Sequence, residues 1–555
     1  MSNIERPSPS EDSGKVNATS PASWRSRSWW ALRLGGALAL VWFLIRVIPK
    51  PSRASYPCQR AAFPVAAGFV VWLTGAFGAA GAIRKARTHL RQARWMMASV
   101  SVTVAAVAAA VVFVTGPAQE IFGQNSAPVQ PTFTPSEPLN SPMGVAFGIK
   151  PGRVAWAFDP NATSWDGTTN SPGWWDDSNT HPQAVEKMLA DAIRSVGDAN
   201  TVKESWNKIF TNFNQRKGKG AVGYAKGEKI AIKLNLNQSR SHGDGGNASY
   251  ISPQLTRALL AQLVNEVGVA PADITVYDAS RFVPSTIFDR CTREFPGIHF
   301  VDSTGTDGRE KAVPDLTQSI TLSDSSETFY FPTCLTHAEY LINVAGLKGH
   351  TMAGMTVCAK NHLGSILTAS GASDAHAMHP SIATKPGPRY PTVLQTAGSY
   401  NGLVDLNGSK QTGGKTVLYL IDGLYASKHN EYRLDPSCKW ESAPFNHHWT
   451  SSIFAAQDGV AIDSVALDFL RSEPTLSRIV TGAVDNYLHE MALAGQPESK
   501  HVYDPDKTGK PLTSLGVHEH WNSAADKQYT RNLGSGTGIE LVSLTPASAS
   551  TVALK

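Results

Sequence analysis

The sequence predicts an α/β fold, a mostly parallel or mixed sheet with flanking helices, preceded by three transmembrane helices. Three observations carry that expectation. From about residue 149, apolar β-branched runs alternate with helical runs. Most of the apolar runs end in Asp or Asn. Three apolar stretches of membrane-spanning length crowd the first 115 residues.

The apolar stretches are 29–48, 62–83 and 95–115. Each is close to the roughly 20 residues that a helix needs to cross a bilayer. The second and third carry no charge, and Arg33 and Arg46 lie near the ends of the first, where they can snorkel. The loop 84–94 holds Arg84, Lys85, Arg87, Arg91 and Arg94, whereas no Lys or Arg follows the third stretch until Lys150. The positive-inside rule then predicts a multi-pass inner-membrane protein whose C-terminal domain lies outside the cytoplasm, with the bilayer as a partner. The segments expected are a disordered tail (1–28), a membrane domain (29–116), a Pro/Ser-rich linker (117–148), an α/β domain (149–546) and a short tail (547–555).

Charge divides along the same line. Residues 1–117 hold 14 Lys/Arg and 3 Asp/Glu, and the remainder holds 36 and 42. The mildly acidic remainder argues against nucleic acid as a partner. None of the 5 cysteines has CxxC spacing, so the chain has no iron–sulfur cluster motif and no zinc ribbon. Disulfides stay open.

Strands are expected at 153–158, 229–236, 273–279, 298–302, 339–345 and 416–422, and helices at 181–195, 252–267, 284–294, 460–471 and 484–494. The nearly continuous apolar character of the strands fits a sheet covered on both faces. "SPQLTRALLAQLVNEVG" shows a Ser cap, Pro in the first turn and a closing Gly. The strand runs lead into Asp159, Asn235, Asp278, Asp302, Asn343 and Asp422. Any one of these can cap a turn, but together they suggest a ligand site outside the carboxyl ends of the strands.

The run "LINVAGLKGHTMAGMTVCAKNHLGS" (341–365) is rich in polar groups that are costly to bury. It resembles the signature of a bacterial and archaeal family, "domain of unknown function 362". The matching positions are Asn343, Lys348, His350, Thr351, Lys360, Asn361 and Gly364. "KIAIKLNLN" (229–237) looks like the family's first core strand, and "DGVAIDSVALDFL" (458–470), with Asp458 and Asp463, looks like its C-terminal segment. Residues 149–215 look like an extension in membrane-attached relatives. Many relatives carry a ferredoxin-like segment, which implies redox chemistry; this chain lacks those cysteines, which puts that role in doubt.

The residues themselves suggest chemistry. Lys348 and Lys360 suit phosphate or carboxylate, His350 suits acid–base work, and Asn361 can donate and accept; these four are the candidate catalytic set. Lys233, Asn235, Asp278, Asn343 and Thr351 are expected to bind substrate. Lys233 alternates with Asn235 and Asn237, so one strand face carries all three. A divalent metal is an open expectation: "DAHAMHP" offers His376 and His379 as the preferred pair, ahead of "FNHHW" and "GVHEHW", the latter with His518, Glu519 and His520. Three functions stay open: an enzyme acting on a small anionic substrate, a carbohydrate- or envelope-binding module using Trp174 and Trp175, and a redox accessory of an iron–sulfur partner.

Overall fold

The computed structural model describes Trp42, Ile45 and residues 133–545, apart from 244–245, 325–326, 374–376 and 386–394. The chain divides into two compact units, Met1–Val129 and Gln130–Lys555. In the first, only Trp42 and Ile45 are described, and both are helical and exposed.

The expectation of three transmembrane helices is corrected here. Among the described residues no helix is long and apolar enough to cross a membrane. The stretches 29–48, 62–83 and 95–115 lie outside the described residues apart from Trp42 and Ile45. The multi-pass inner-membrane location drawn from them therefore has no support in the structure.

The α/β expectation does hold for the second unit. Its strands begin with β1 (Met143–Gly144), β2 (Arg153–Phe158), β3 (Ile230–Leu234), β4 (Ile274–Tyr277), β5 (His299–Asp302), β6 (Glu310–Lys311), β7 (Pro314–Thr321) and β8 (Thr328–Pro332). They continue with β9 (Tyr340–His350), β10 (Gly354–Thr356), β11 (Thr416–Ser427), β12 (Ser452–Ala456), β13 (Val517–His518) and β14 (Glu540–Leu544). The main sheet runs β14-β2-β12-β11-β9-β3-β4-β5-β6, with β10 folded back on β9. Strand β12 is antiparallel to both neighbours, and the other neighbouring pairs on this path are parallel.

Side chains alternate across the pleat and feed two separate apolar cores. On β9, Leu341, Ala345 and Leu347 join one core, while Tyr340, Ile342 and Val344 join the other. The second core is roofed by α1 (Pro182–Gly197), α2 (Val202–Arg216) and α3 (Pro253–Ala261), and α4 (Ser285–Glu294) packs beside α3. Helix α3 begins at the expected Ser252 cap and passes through a π-turn before Gly268 closes it at φ +83°. The first core is roofed by the short helix α5 (Cys358–Asn361), α6 (Gly459–Arg471) and α7 (Asn486–Ala492).

The linker expected at 117–148 is described from Phe133 onward, and that part is bonded to the domain. Phe133 N–H donates to Val480 O (3.1 Å), Asn140 N–H to His520 O (2.9 Å), and β1 pairs with β13.

Helix α6 fixes α5 through one side chain. The Asp463 carboxylate accepts the N–H groups of Cys358 and Ala359, each at 2.9 Å, and the Tyr487 hydroxyl, also at 2.9 Å. Asp463→Ala would leave two buried N–H groups unmet, at about 1–3 kcal/mol each. We expect a loss of at least ~2 kcal/mol in chemical denaturation; a loss below ~0.5 kcal/mol would show that α5 does not depend on this carboxylate.

Candidate functional site

Sheet order creates a crevice. From β3 the chain steps outward through β4, β5 and β6, and then β9 returns to the other side of β3. Ligands of open α/β sheets bind outside the carboxyl ends of strands at such a switch point. Lys233 of β3 and Asn343 of β9 are direct register partners at this place.

Asn361, delivered by α5, joins the two strands. Its Nδ2 donates to Asn343 Oδ1 (2.8 Å), Val344 O (3.1 Å) and Lys233 O (3.3 Å). Its Oδ1 accepts from Lys233 Nζ (3.1 Å) and Asn235 Nδ2 (3.3 Å). Lys233 Nζ also lies 3.2 Å from Asp278 Oδ2 and donates to Leu234 O at 2.7 Å. Burial pulls the Lys233 ammonium below its ordinary range, and Asp278 opposes that pull. Asp278 is further held by Leu236 N–H and by the N–H and hydroxyl of Ser280. Lys233, Asp278, Asn343 and Asn361 are thus tied mainly to one another.

Above this framework opens a cleft of about 710 Å³ whose walls include Arg281, His350, Lys360 and His379. Lys348 lines a small adjoining cavity, and Asn235 borders both spaces. Lys348 is buried and Lys360 half-buried, yet among the described residues neither ammonium forms an ion pair or hydrogen bond. Burial, with Arg281 nearby, pushes Lys348 down to about 7. Burial, then the charges of Lys348 and Arg281, push Lys360 to about 7. Among the described residues the Arg281 guanidinium bonds neutral oxygens, those of Asn237 and Ser280. Two buried atoms on the cleft wall, Asn235 Oδ1 and Thr356 Oγ1, have no hydrogen-bond partner among the described residues.

His350 is held in one tautomer. Its Nδ1 accepts the N–H groups of Met352 and Ala353, both at 3.1 Å, so the neutral ring carries its proton on Nε2. Burial, and then Lys360, His379 and Lys348, push its pKa well below the ordinary value. The His379 ring lies 5.7 Å from that of His350. Thr351 donates its N–H and hydroxyl to Asn430 Oδ1. Asn430 itself, Thr356 and Arg240 also line the cleft without having been singled out in the sequence.

Other expected features fall elsewhere. Asp302 accepts the N–H groups of Val283, Thr304 and Gly305, and Asp422 those of Ser252 and Leu424, so both organise loops. Trp174 is buried, with its indole N–H on Ala248 O, and offers no exposed ring face. Cys291, Cys334, Cys358 and Cys438 are free thiols, and Cys58 lies outside the described residues. His376 also lies outside them, so its pairing with His379 is not described. Among the described residues, the side-chain groups that could hold a metal ion are Glu137 with His518 and His520, and Glu137 with Asp485 and His489.

The fold and its crevice define an α/β domain with a cationic cleft at the switch point. Residues 230–468, which span the framework and the cleft, match the family described as domain of unknown function (DUF362). No curated protein matches the chain.

Gly364 explains one signature position. A Cβ there would lie 2.6 Å from Asp278 Oδ1 and 2.7 Å from Lys233 Nζ. Gly364→Ala must push the buried ion pair apart, and overpacking of this kind costs about 1–3 kcal/mol. The expected result in thermal and urea unfolding is destabilisation in that range; an unchanged midpoint would mean that the pair yields freely.

Proposed function

We propose that this domain is an enzyme acting on a small anionic substrate, bearing phosphate or carboxylate, bound in the switch-point cleft. One observation carries the reading: Lys360 and Arg281 in the cleft, and Lys348 in the cavity beside it, have no carboxylate within ion-pair distance among the described residues, unlike Lys233, which has Asp278, although Asp278 and Glu431 line the same cleft. Uncompensated cations are costly to bury, and an anionic ligand supplies the missing charge. The unmatched Asn235 Oδ1 and Thr356 Oγ1 can accept and donate to the same molecule.

The roles follow from the chemistry of each group. Lys348 and Arg281 hold the anion as charge-assisted donors. His350, neutral and with its proton on Nε2, donates to a substrate oxygen. Lys360, held near 7, is the proton-transfer group, since a pKa close to ambient pH suits general acid–base work. An anion beside it favours its charged form, so substrate binding loads the proton it then delivers. Lys233, Asp278, Asn343 and Asn361 position these groups, and Thr351 fixes the loop after His350 through Asn430.

Calorimetry with inorganic phosphate tests the reading. At pH 8 the empty-site lysines are mostly neutral and become charged on binding. Heats in two buffers of different ionisation enthalpy should therefore reveal proton uptake, which fades at pH 6 where both lysines are already charged. Lys348→Met or Lys360→Met should weaken binding by about tenfold or more, one charged hydrogen bond being worth about 1.5–3 kcal/mol. Heats for phosphate no larger than for chloride at equal ionic strength would sink the proposal.

A further inference from the structure

A second cluster, sharing no residue with the cleft, gathers where the segment before β1 meets α6, α7 and β13. Glu137 Oε1 lies 3.1 Å from His518 Nε2, 3.1 Å from His520 Nε2 and 3.2 Å from His489 Nε2. The three imidazoles are buried, and Glu137 is largely so. Asp485 Oδ2 sits 3.4 Å from His489 Nε2.

The outer nitrogens decide what the inner ones can do. Ser464 Oγ donates its proton to Val460 O (2.7 Å), so toward His518 Nδ1, 2.7 Å away, it acts as acceptor. His518 therefore carries a proton on Nδ1 and, when neutral, a bare lone pair on Nε2. His520 Nδ1 donates to Asp468 Oδ1 at 2.6 Å, which likewise leaves Nε2 bare. His489 Nδ1 faces Glu498 Oε1 at 3.9 Å. Neutral imidazoles so arranged aim their lone pairs at a carboxylate oxygen, an arrangement that is relieved by protonating a ring or by placing a metal ion between them.

A single oxygen has lone pairs for two good hydrogen bonds and cannot serve three rings. His520 Nε2 is the atom left over: wholly buried, close to Glu137, and without a hydrogen bond. Imidazoles whose outer N–H groups are held by a carboxylate or hydroxyl are the usual surroundings of a metal-binding histidine. Donors about 2.0–2.1 Å from a tetrahedral ion lie roughly 3.3–3.4 Å from one another; the Glu137-to-histidine separations are close to that, and the donor atoms of Glu137, His518 and His520 all lie within 4.8 Å of one another.

We propose that Glu137, His518 and His520, whose donor atoms all lie within 4.8 Å of one another, bind one divalent transition-metal ion of the zinc class, with His489 held beside them on Glu137. Two imidazoles and one carboxylate suit such an ion better than magnesium or calcium, which prefer oxygen. Three protein donors leave one position of a tetrahedral ion open. The ion would clasp the segment carrying Glu137 to β13 and the residues that follow it.

The test uses the full chain, stripped with chelator and titrated with zinc, with metal content read by elemental analysis and stability by thermal melting. The expected result is one zinc per chain and a higher melting temperature. His518→Ala/His520→Ala should abolish both, and Glu137→Gln, a milder change that keeps the side-chain shape, should weaken zinc at least ~10-fold. The cleft variant Lys360→Met should keep its zinc, which separates this site from the anion reading. Stripped protein that takes up no zinc, a double variant that binds as well as the parent, or equal loss in Lys360→Met would each overturn the assignment.

Discussion

The carboxamide of Asn361 ties β3 to β9 at the place where the order of the sheet reverses, and the site is built outward from it. The role needs a side chain that donates and accepts at once. An aspartate would lose the donors that reach Asn343 Oδ1, Val344 O and Lys233 O, and an apolar residue would lose all five of the bonds this amide makes. Asn361 is in turn only as well placed as α5, a helix of a single turn with no side-chain cap of its own. The cap comes from across the fold, from Asp463 on α6. A residue more than a hundred positions away thus sets the position of the cleft's central amide.

The lysines around this amide divide by their partners. Lys233 has an acid, an amide oxygen and a backbone carbonyl, so its burial is compensated within the fold. Among the described residues Lys348 and Lys360 have none of these, and both are pushed to about 7 by burial and by like charge. Buried charges are ordinarily paired. A pair of lysines left unmatched beside an arginine fits a site that is completed from outside, whereas Lys233 fits a beam of the scaffold.

Much of this was legible in the sequence. The six strand runs and the helical runs were clear because buried parallel strands and amphipathic helices leave strong periodic signals. The signature run also brought Lys348, His350, Lys360 and Asn361 to attention. What the sequence could not separate was scaffold from site: Lys233 looks like Lys348 and Lys360, and Asp278, Asp302 and Asp422 look like ligand-binding carboxylates, until their partners are known. The antiparallel β12, five residues of "SIFAA", lies inside the sheet but is too short to announce itself. Glu137 was harder still. It lies in a Pro/Ser-rich stretch that composition assigns to a linker, and its histidines follow some 350–380 positions later.

Helix α6 gives the two clusters a common support. Asp463 points to α5 and so to the cleft, while Ser464 and Asp468, four residues apart and hence on one helical face, orient His518 and His520. The buried polar groups of this helix are therefore not interchangeable defects in an apolar core. Each holds a partner on a different element, and Asp458 at its N-terminus does the same for Phe147 and Val517. A helix that buries four such groups specifies its rotation and register more sharply than apolar packing alone, because a turn by one residue would leave every partner unmet. That constraint explains how a segment far from the sheet's switch point can hold both the cleft and the Glu137 cluster in fixed geometry.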